Sequence, residues 1–206
     1  MACFTDLATV KAALGITDTA SDVVLQSIVD GVNAELLAWF HLDDCGPTQY
    51  TSSYDIVDEV AGIWLQQYPV ISVDSVTVDG VVQDSATFYL DNRVGELGHM
   101  RRKRAGSVRV PDQFPIGPQM VTVTHTAGWA GGVPDASLQR AATLLAVYDW
   151  NTGAKQGFQS EKIGQYSYTL RGGSGATGVS GAEGGGWPGP VARVLAQWAR
   201  PFAEGG

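Results

Sequence analysis

The chain has 206 residues, which is enough for one large domain with a substantial hydrophobic core. Charged residues make up 17% and glycine fills 26 positions, and the net charge of −8 argues against a protein that coats nucleic acid. The charge is uneven: residues 1–92 carry fourteen acids and one lysine, for −13, whereas residues 93–206 carry seven acids and twelve basic residues, for +5. This polarity either orients the chain toward neighbours of opposite charge or reflects solubility alone.

The two cysteines, Cys3 and Cys45, occur without a CxxC pair or a regular spacing. We therefore expect free thiols in a reducing cytosol, and neither a disulfide scaffold nor a zinc site. The N-terminus lacks the basic and apolar regions of a signal peptide, and no apolar run is expected to span a membrane. These features predict no membrane partner.

Residues 1–49 predict a helical hairpin. Thr5 or Asp6 is expected to cap a short helix that Gly15 ends. After a polar link, a second helix of about five turns is predicted over residues 22–40, with polar residues such as Asn33 away from its apolar face. That apolar face comprises Leu25, Ile28, Val29, Val32, Leu36 and Phe40.

Residues 50–128 predict an antiparallel β module, a small sandwich or barrel inserted between the helices. Short β-branched or aromatic runs alternate there with turn residues. Asp79-Gly80 is a strong hairpin signal, and Val81 and Val82 begin the return strand. The edges of such a module are available to neighbouring proteins. Together with the flanking helices, the module gives the chain an α+β fold.

Residues 129–171 predict a central helix followed by a strand. Pro134 suits the first helical position, Asp135 places a carboxylate near the positive end of the helix, and Gly153 is the predicted end. The alternating pattern of residues 166–170 predicts a half-buried strand. The helix carries small and large apolar residues that predict close packing on more than one side: Leu138, Ala141, Ala142, Leu145 and Ala146.

The C-terminal part of the chain predicts a flexible linker and a short helix. Residues 172–189 are rich in Gly, Ser and Ala, which is typical of a linker or mobile arm. In residues 190–206, Val191, Val194, Leu195 and Trp198 fall at three- and four-residue spacing. This helix either docks into a groove of a neighbour or folds back onto its own domain.

Several segments in a fixed order resemble the head-tail connector, or adaptor, proteins of tailed double-stranded DNA bacteriophages. They are Thr-Ala-Gly-Trp at 126–129, Val-Pro-Asp at 133–135, the Ala/Leu-rich helix, and Ser-Glu-Lys-Ile-Gly-Gln-Tyr-Ser-Tyr at 160–168. Val-Lys-Ala-Ala-Leu-Gly-Ile at 10–16, before a long helix, is similar to the start of the same family, so the resemblance covers roughly residues 5–170. The resemblance implies a non-enzymatic, dodecameric ring in the virion neck, made in the host cytoplasm. The genome passes through such a ring, which lies below the portal protein and receives a stopper or tail protein.

Three segments are candidate partner surfaces. The basic run at 101–104 is the strongest local charge feature of the chain. Three interpretations are open: contact with acidic surface on the portal or tail, contact with DNA phosphates, or a solvated hairpin tip. We expect the turn at 160–164 and the two tyrosines after it to pack against another subunit or the portal. We expect the C-terminal tryptophan to anchor a docked helix. The expected interface residues are Arg101, Arg102, Lys103, Arg104, Ser160, Glu161, Lys162, Ile163, Gly164, Tyr166, Tyr168 and Trp198.

The sequence contains no recognisable catalytic constellation. Two GxGxxG sequences in the glycine-rich segment do not lie between a strand and a helix, so nucleotide binding is not predicted. His41, Asp43-Asp44 and Cys45 lie close together, but their spacing matches no zinc or calcium loop, and an exposed turn is expected. His125 is expected to be structural. We therefore expect no enzyme activity, no cofactor and no metal.

Other functions stay open on the residues alone. One is a different neck protein, a stopper or tail terminator, although a mainly β chain is expected for those by family resemblance. Another is a carbohydrate- or ligand-binding β module that uses Trp and Tyr side chains as stacking platforms. A third is a hydrolase that depends on His125.

Overall fold

The computed structural model describes residues 3–102, 109–153, 160–163, 166–169 and 188–199. Within these residues the chain is α+β, as the sequence predicts. The helices are α1 (Leu7–Leu14), α2 (Asp22–Phe40), α3 (Ala136–Gly153) and α4 (Gly189–Leu195). The strands are β1 (Thr48–Ile56), β2 (Gly62–Trp64), β3 (Val70–Val78), β4 (Val81–Val82), β5 (Phe88–Asp91), β6 (Glu96–Arg102), β7 (Arg109–Pro111), β8 (Gly117–Ala127), β9 (Ser160–Ile163) and β10 (Tyr166–Thr169).

The chain divides into two compact units. The helical unit comprises Met1–Leu36 and Pro134–Gly206, and the β unit comprises Leu37–Val133. The predicted glycine-rich linker lies outside the described residues as far as residue 187, so its expected flexibility remains a prediction.

In the helical unit, α1 has the cap and the end that the sequence predicts. The Asp6 carboxylate accepts a hydrogen bond from the Thr9 backbone N–H at 2.7 Å, and this bond lowers the pKa of Asp6. Gly15 closes the helix with a φ of 70°, a left-handed conformation that glycine adopts without a steric cost. The Lys11 ammonium donates to the Asp22 carboxylate, which links α1 to the start of α2.

Helix α2 is the long amphipathic helix predicted from its apolar stripe. Leu25, Val29 and Leu36 on that stripe are buried. By length and composition α2 is also long and apolar enough to cross a membrane, which the sequence analysis expected of no segment. Its buried stripe is covered by protein, whereas Val23 and Val24 near its start are 85% and 56% exposed.

Helix α3 begins two residues later than predicted. The Asp135 carbonyl accepts from the backbone N–H groups of Leu138 and Gln139 at 2.9 and 3.0 Å, so Asp135 precedes the first helical residue. Pro134 therefore lies outside the helix and does not fill its first position. The predicted end at Gly153 is confirmed. The helix contacts α1 and α4 through its predicted face, on which five residues are buried: Leu138, Ala141, Ala142, Leu145 and Ala146.

The β unit contains two antiparallel sheets. One has the strand order β1-β8-β3-β4; in the other, β6 pairs with β2, β5 and β7. Buried side chains from both sheets share one core, as Val121 and Val123 of β8 cluster with Ile63 of β2 and Leu97 of β6. In the part of the chain that the structure describes, the sheets do not close into a barrel.

The predicted hairpin at Asp79-Gly80 joins β3 to β4. Both residues have positive φ values, 49° and 73°, as a tight two-residue hairpin turn requires. Val78 pairs with Val81 and Thr77 with Val82, so the return strand begins where the sequence predicts.

Candidate interaction surfaces

The outer face of the β1-β8-β3-β4 sheet is covered by hydroxyl groups. The hydroxyl of Thr51 lies 3.0 Å from that of Thr124, and the hydroxyl of Ser53 lies 3.0 Å from that of Thr122, across the β1–β8 pair. These cross-strand hydroxyl bonds link side chains of directly paired residues on β1 and β8. This face was not predicted from the sequence. Its signal is the alternation of polar and hydroxyl residues at 49, 51 and 53 with residues 50 and 52.

A single carboxylate marks one end of this hydroxyl face. Asp74 accepts from the Gln49 amide at 2.8 Å and from the hydroxyls of Ser72 and Thr126 at 3.0 and 3.2 Å. The Gln49 bond is the largest cause that lowers the pKa of Asp74. Asp74 therefore stays ionised and organises the side chains of three adjacent strands.

Strand β1 is the edge of its sheet. Among the described residues β8 is its only strand neighbour and pairs with eight of the nine residues of β1, the register shifting between Tyr54 and Ile56. The opposite edge of the sheet is β4, which has two residues. Residues 70–76 of β3 lie beyond β4 and, in the described part of the chain, pair with β8 alone, so the sheet has one edge at β1 and a second edge made of β4 and part of β3.

The predicted residues at 160–168 form a β-hairpin in the helical unit. Ser160, Glu161, Lys162 and Ile163 constitute β9, so this part of the predicted turn is a strand. Tyr166 and Tyr168 belong to β10, and the register pairs Tyr166 with Ile163 and Tyr168 with Glu161. Gly164 lies outside the described residues. No other strand in the described residues pairs with this hairpin.

The basic run lies at the end of β6 in the β unit. The backbone of Arg101 pairs with Val110 and that of Arg102 with Arg109, across the β6–β7 pair. Lys103 and Arg104 lie outside the described residues. The structure therefore places the start of the run on a strand end and leaves its proposed partner as a prediction.

Trp198 lies just after α4 and is buried, with 5% of its surface exposed. Helix α4 contacts α3 within the helical unit, with Val191 and Leu195 of α4 also buried. Of the two arrangements considered for the C-terminal helix, the structure shows packing against its own chain. The role of Trp198 toward a partner stays a prediction.

Helix α3 also exposes apolar and acidic side chains. Leu144 and Tyr148 are 39% and 46% exposed, so the predicted packing on more than one side is not completed within the described residues.

In the helical unit, the carboxylate of Asp149 on α3 interacts with that of Glu35 on α2. Burial, followed by the Asp149 charge, raises the pKa of Glu35, and burial raises the pKa of Asp149.

The prediction of free thiols is wrong, because both Cys3 and Cys45 are disulfide-bonded. Irregular spacing along the sequence gives no information on which side chains meet in space, and this is why the expectation failed. Within the described residues no group of three or more His, Cys, Asp or Glu side chains could hold a metal ion.

Two of the three histidines, His99 and His125, pack against aromatic rings in the β unit. His125 is fully buried on β8, with its ring 6.0 Å from that of Tyr50. Burial lowers the pKa of His125, although the Gln67 backbone and the Asp74 carboxylate act in the opposite direction. His99 stacks with the rings of Phe88 and Phe114 at centroid distances of 5.4 and 5.1 Å, and those two rings are themselves 6.2 Å apart.

No known protein family and no curated protein matches the chain. Among solved structures, a chain from the neck of an empty gene transfer agent (GTA) particle computed with C6 symmetry is 18% identical, with a TM-score of 0.49, over 97% of this chain and 91% of that chain. A chain from the virion of the native GTA particle is 17% identical, with a TM-score of 0.48 and the same coverage of 97% and 91%. A chain from the neck of the native GTA particle computed with C12 symmetry is 13% identical, with a TM-score of 0.47, over 97% and 93%. Likenesses at this level carry no conclusion about function.

Proposed function

We propose that the chain is a structural protein of a phage neck, a head-tail connector or adaptor that forms a ring beneath the portal. The observation that carries this proposal is the ordered set of segments at 126–129, 133–135 and 160–168 around an Ala/Leu-rich helix. The set resembles the connector family over roughly residues 5–170. In this role the ring joins the capsid to the tail and lets the genome pass without reading its sequence.

The helical unit offers a suitable body for a ring subunit. Thr5, just before α1, meets Thr143 of α3 through their hydroxyls at 3.0 Å, and three alanines of α3 are buried. Beside this packed core, Leu144 and Tyr148 remain exposed on α3. A side-by-side contact between copies would remove these apolar side chains from water, which favours association.

The uneven charge fits the proposed position in the neck. The first 92 residues carry −13, and carboxylates that face a lumen would repel DNA phosphates and keep the genome from adhering. The basic run that begins at Arg101 and Arg102 is then available for acidic surface on the portal or on a stopper or tail protein. Contact of this run with DNA phosphates is the alternative.

The competing functions have less support. A carbohydrate-binding role needs a cluster of exposed aromatic platforms; Trp129 and Trp198 are buried, with 6% and 5% of their surfaces exposed, and the exposed Tyr89 and Tyr148 belong to different units of the chain. A hydrolase that uses His125 needs this side chain to reach a substrate, and His125 has no exposed surface. Another neck protein, a stopper or tail terminator, remains the main alternative.

The test is quantitative mass spectrometry of purified particles, which compares copies of this chain with copies of the portal. We expect near parity both in intact virions and in tail-less heads, because a connector joins the head before the tail does. Presence only in particles that carry tails would instead favour a tail terminator. Absence from both kinds of particle would overturn the neck assignment.

A further inference from the structure

We propose that β10 of one copy adds to the β1 edge of a neighbouring copy, so that strand addition links the subunits. The inference rests on the proposed function, because it names the contact by which the ring closes. Its two halves lie in different units of the chain: the hairpin of β9 and β10 in the helical unit, and the β1 edge in the β unit.

The first half is a long sheet edge without a second strand. An edge strand directs the backbone N–H and C=O groups of alternate residues away from its sheet, where they can pair with another strand. At about 3.4 Å per residue, the nine residues of β1 give an edge of roughly 30 Å. In the described residues, β8 alone pairs with β1. Hydroxyl bonds of Thr51 and Ser53 to β8 link the two strands before the register shift between Tyr54 and Ile56.

The second half is a hairpin without a sheet. Strands β9 and β10 have four residues each and pair with no further strand in the described part of the chain. A two-stranded hairpin alone is marginally stable in water, and addition to a larger sheet stabilises it. A neighbouring sheet edge is therefore a suitable partner for this hairpin.

The residue patterns of the two strands match. On β1, half-buried Tyr50 and Ser52 alternate with exposed Gln49, Thr51 and Ser53. On β10, Tyr166 and Tyr168 alternate with Ser167 and Thr169. In a register that aligns Tyr50 with a tyrosine of β10, the alternation of the two sequences pairs tyrosine with tyrosine, and such cross-strand pairs are favourable.

The choice of β10 over β9 follows from charge. Strand β9 carries Glu161 and Lys162, whereas β10 carries no charge. Charged residues are typical of a strand that stays at the edge of a sheet. The contact joins different surfaces of two copies, β10 of one and β1 of the next, and a head-to-tail contact of this kind generates a ring when its rotation closes.

Two variants at Ser167 test whether the outward backbone N–H of β10 makes the contact. Two residues connect β9 to β10, so the closing pair Ile163–Tyr166 exchanges hydrogen bonds, and the next pair, Lys162–Ser167, directs its N–H groups away from the hairpin. Proline removes such an N–H and leaves the bonds inside the hairpin intact. Ser167→Pro therefore blocks the β10 edge, and Ser167→Ala, which keeps the backbone N–H at the same position, is the matched control.

Copies of each variant are counted in purified particles, with thermal unfolding of the isolated variants as the check on folding. We expect Ser167→Pro to lower incorporation by about tenfold or more and Ser167→Ala to remain near the wild-type level. Equal incorporation of both variants, whether retained or lost, overturns the strand-addition inference but not the neck assignment. Absence of the wild-type chain from particles overturns the neck assignment and this inference with it.

A photo-crosslink identifies the partner. Benzoylphenylalanine in place of Tyr168 is expected to yield a covalent dimer of this chain, in which the crosslinked peptide contains β1. A crosslink within a single chain, which gives a product of monomer mass, contradicts the inference. So does a crosslink to a different protein only. Either result still leaves the particle count as the separate test of the neck assignment.

Discussion

Gly128 shows how one residue without a side chain fixes a loop in the β unit. It follows β8 with a φ of 114°, and a Cβ built there would lie 2.4 Å from the Gly46 carbonyl oxygen and 2.9 Å from that of Cys45. The next residue, Trp129, donates its backbone N–H to the Cys45 carbonyl at 2.9 Å. The two backbone segments therefore approach so closely that only glycine fits.

We expect Gly128→Ala to destabilise the protein by about 3 kcal/mol or more, because the added methyl group collides with backbone in a conformation already strained for alanine. Gly31→Ala is the matched control. Gly31 lies within α2 with nothing near its built Cβ, so this change should stabilise by about 0.5–1 kcal/mol. Urea unfolding of both variants measures the difference, and a Gly128→Ala variant as stable as the wild type would contradict the close approach.

At the scale of elements, one buried amide attaches the N-terminal segment to α2. The Asn33 side-chain oxygen accepts from the backbone N–H groups of Cys3, Phe4 and Thr5 at 3.3, 2.7 and 3.3 Å. Its amide nitrogen donates to the carbonyls of Thr5 and Val29 at 3.0 and 2.8 Å. Asn33 thus satisfies backbone groups that have been removed from water.

We expect Asn33→Ala to lower the free energy of unfolding by about 2–4 kcal/mol, because buried donors and acceptors lose their partner. Gln26→Ala, on the same helix, removes an exposed amide bonded to Asp30 at 2.8 Å and should change stability by less than about 0.5 kcal/mol. Chemical unfolding followed by circular dichroism distinguishes the two. Equal losses would show that the Asn33 bonds contribute nothing beyond helix propensity.

The elements also show what the sequence could and could not predict. Helices α2 and α3 and the turn at Asp79-Gly80 were predictable, because apolar periodicity and turn residues are local signals. The burial of Asn33 was not, because a polar residue is expected at the surface unless its partners are known, and those partners lie 28–30 residues away.

The candidate site divides in the same way. The alternation at 166–169 predicted β10, but its partner β9 was expected as a turn, since four residues with two charges lack a strand pattern. The long edge at β1 depends on strand order, which is set by contacts between distant parts of the chain and has no local signal.

At the scale of the whole molecule, the two units carry ionisable groups that respond oppositely to acid. In the β unit, burial lowers the pKa of His125, and the groups near it are the Gln67 backbone, the Asp74 carboxylate and the Tyr50 ring. In the helical unit, burial raises the pKa values of Glu35 and Asp149. A lowered histidine pKa means that the unfolded chain binds the proton more tightly, whereas a raised carboxyl pKa means that the folded chain does.

The His125 contribution to stability is therefore present above the ordinary histidine pKa of about 6.5 and is lost as the pH falls through it. The Glu35 contribution has the opposite sign, since protonation of its carboxyl relieves a desolvated charge beside Asp149. We expect His125→Gln to flatten the loss of stability as the pH falls from about 7.5 through 6.5, and Glu35→Gln to steepen the loss just above the ordinary glutamate pKa of about 4.3. Urea unfolding at several pH values compares the slopes with the wild type. A His125→Gln slope equal to the wild-type slope would mean that this imidazole titrates alike in the folded and unfolded chain, which its complete burial on β8 argues against.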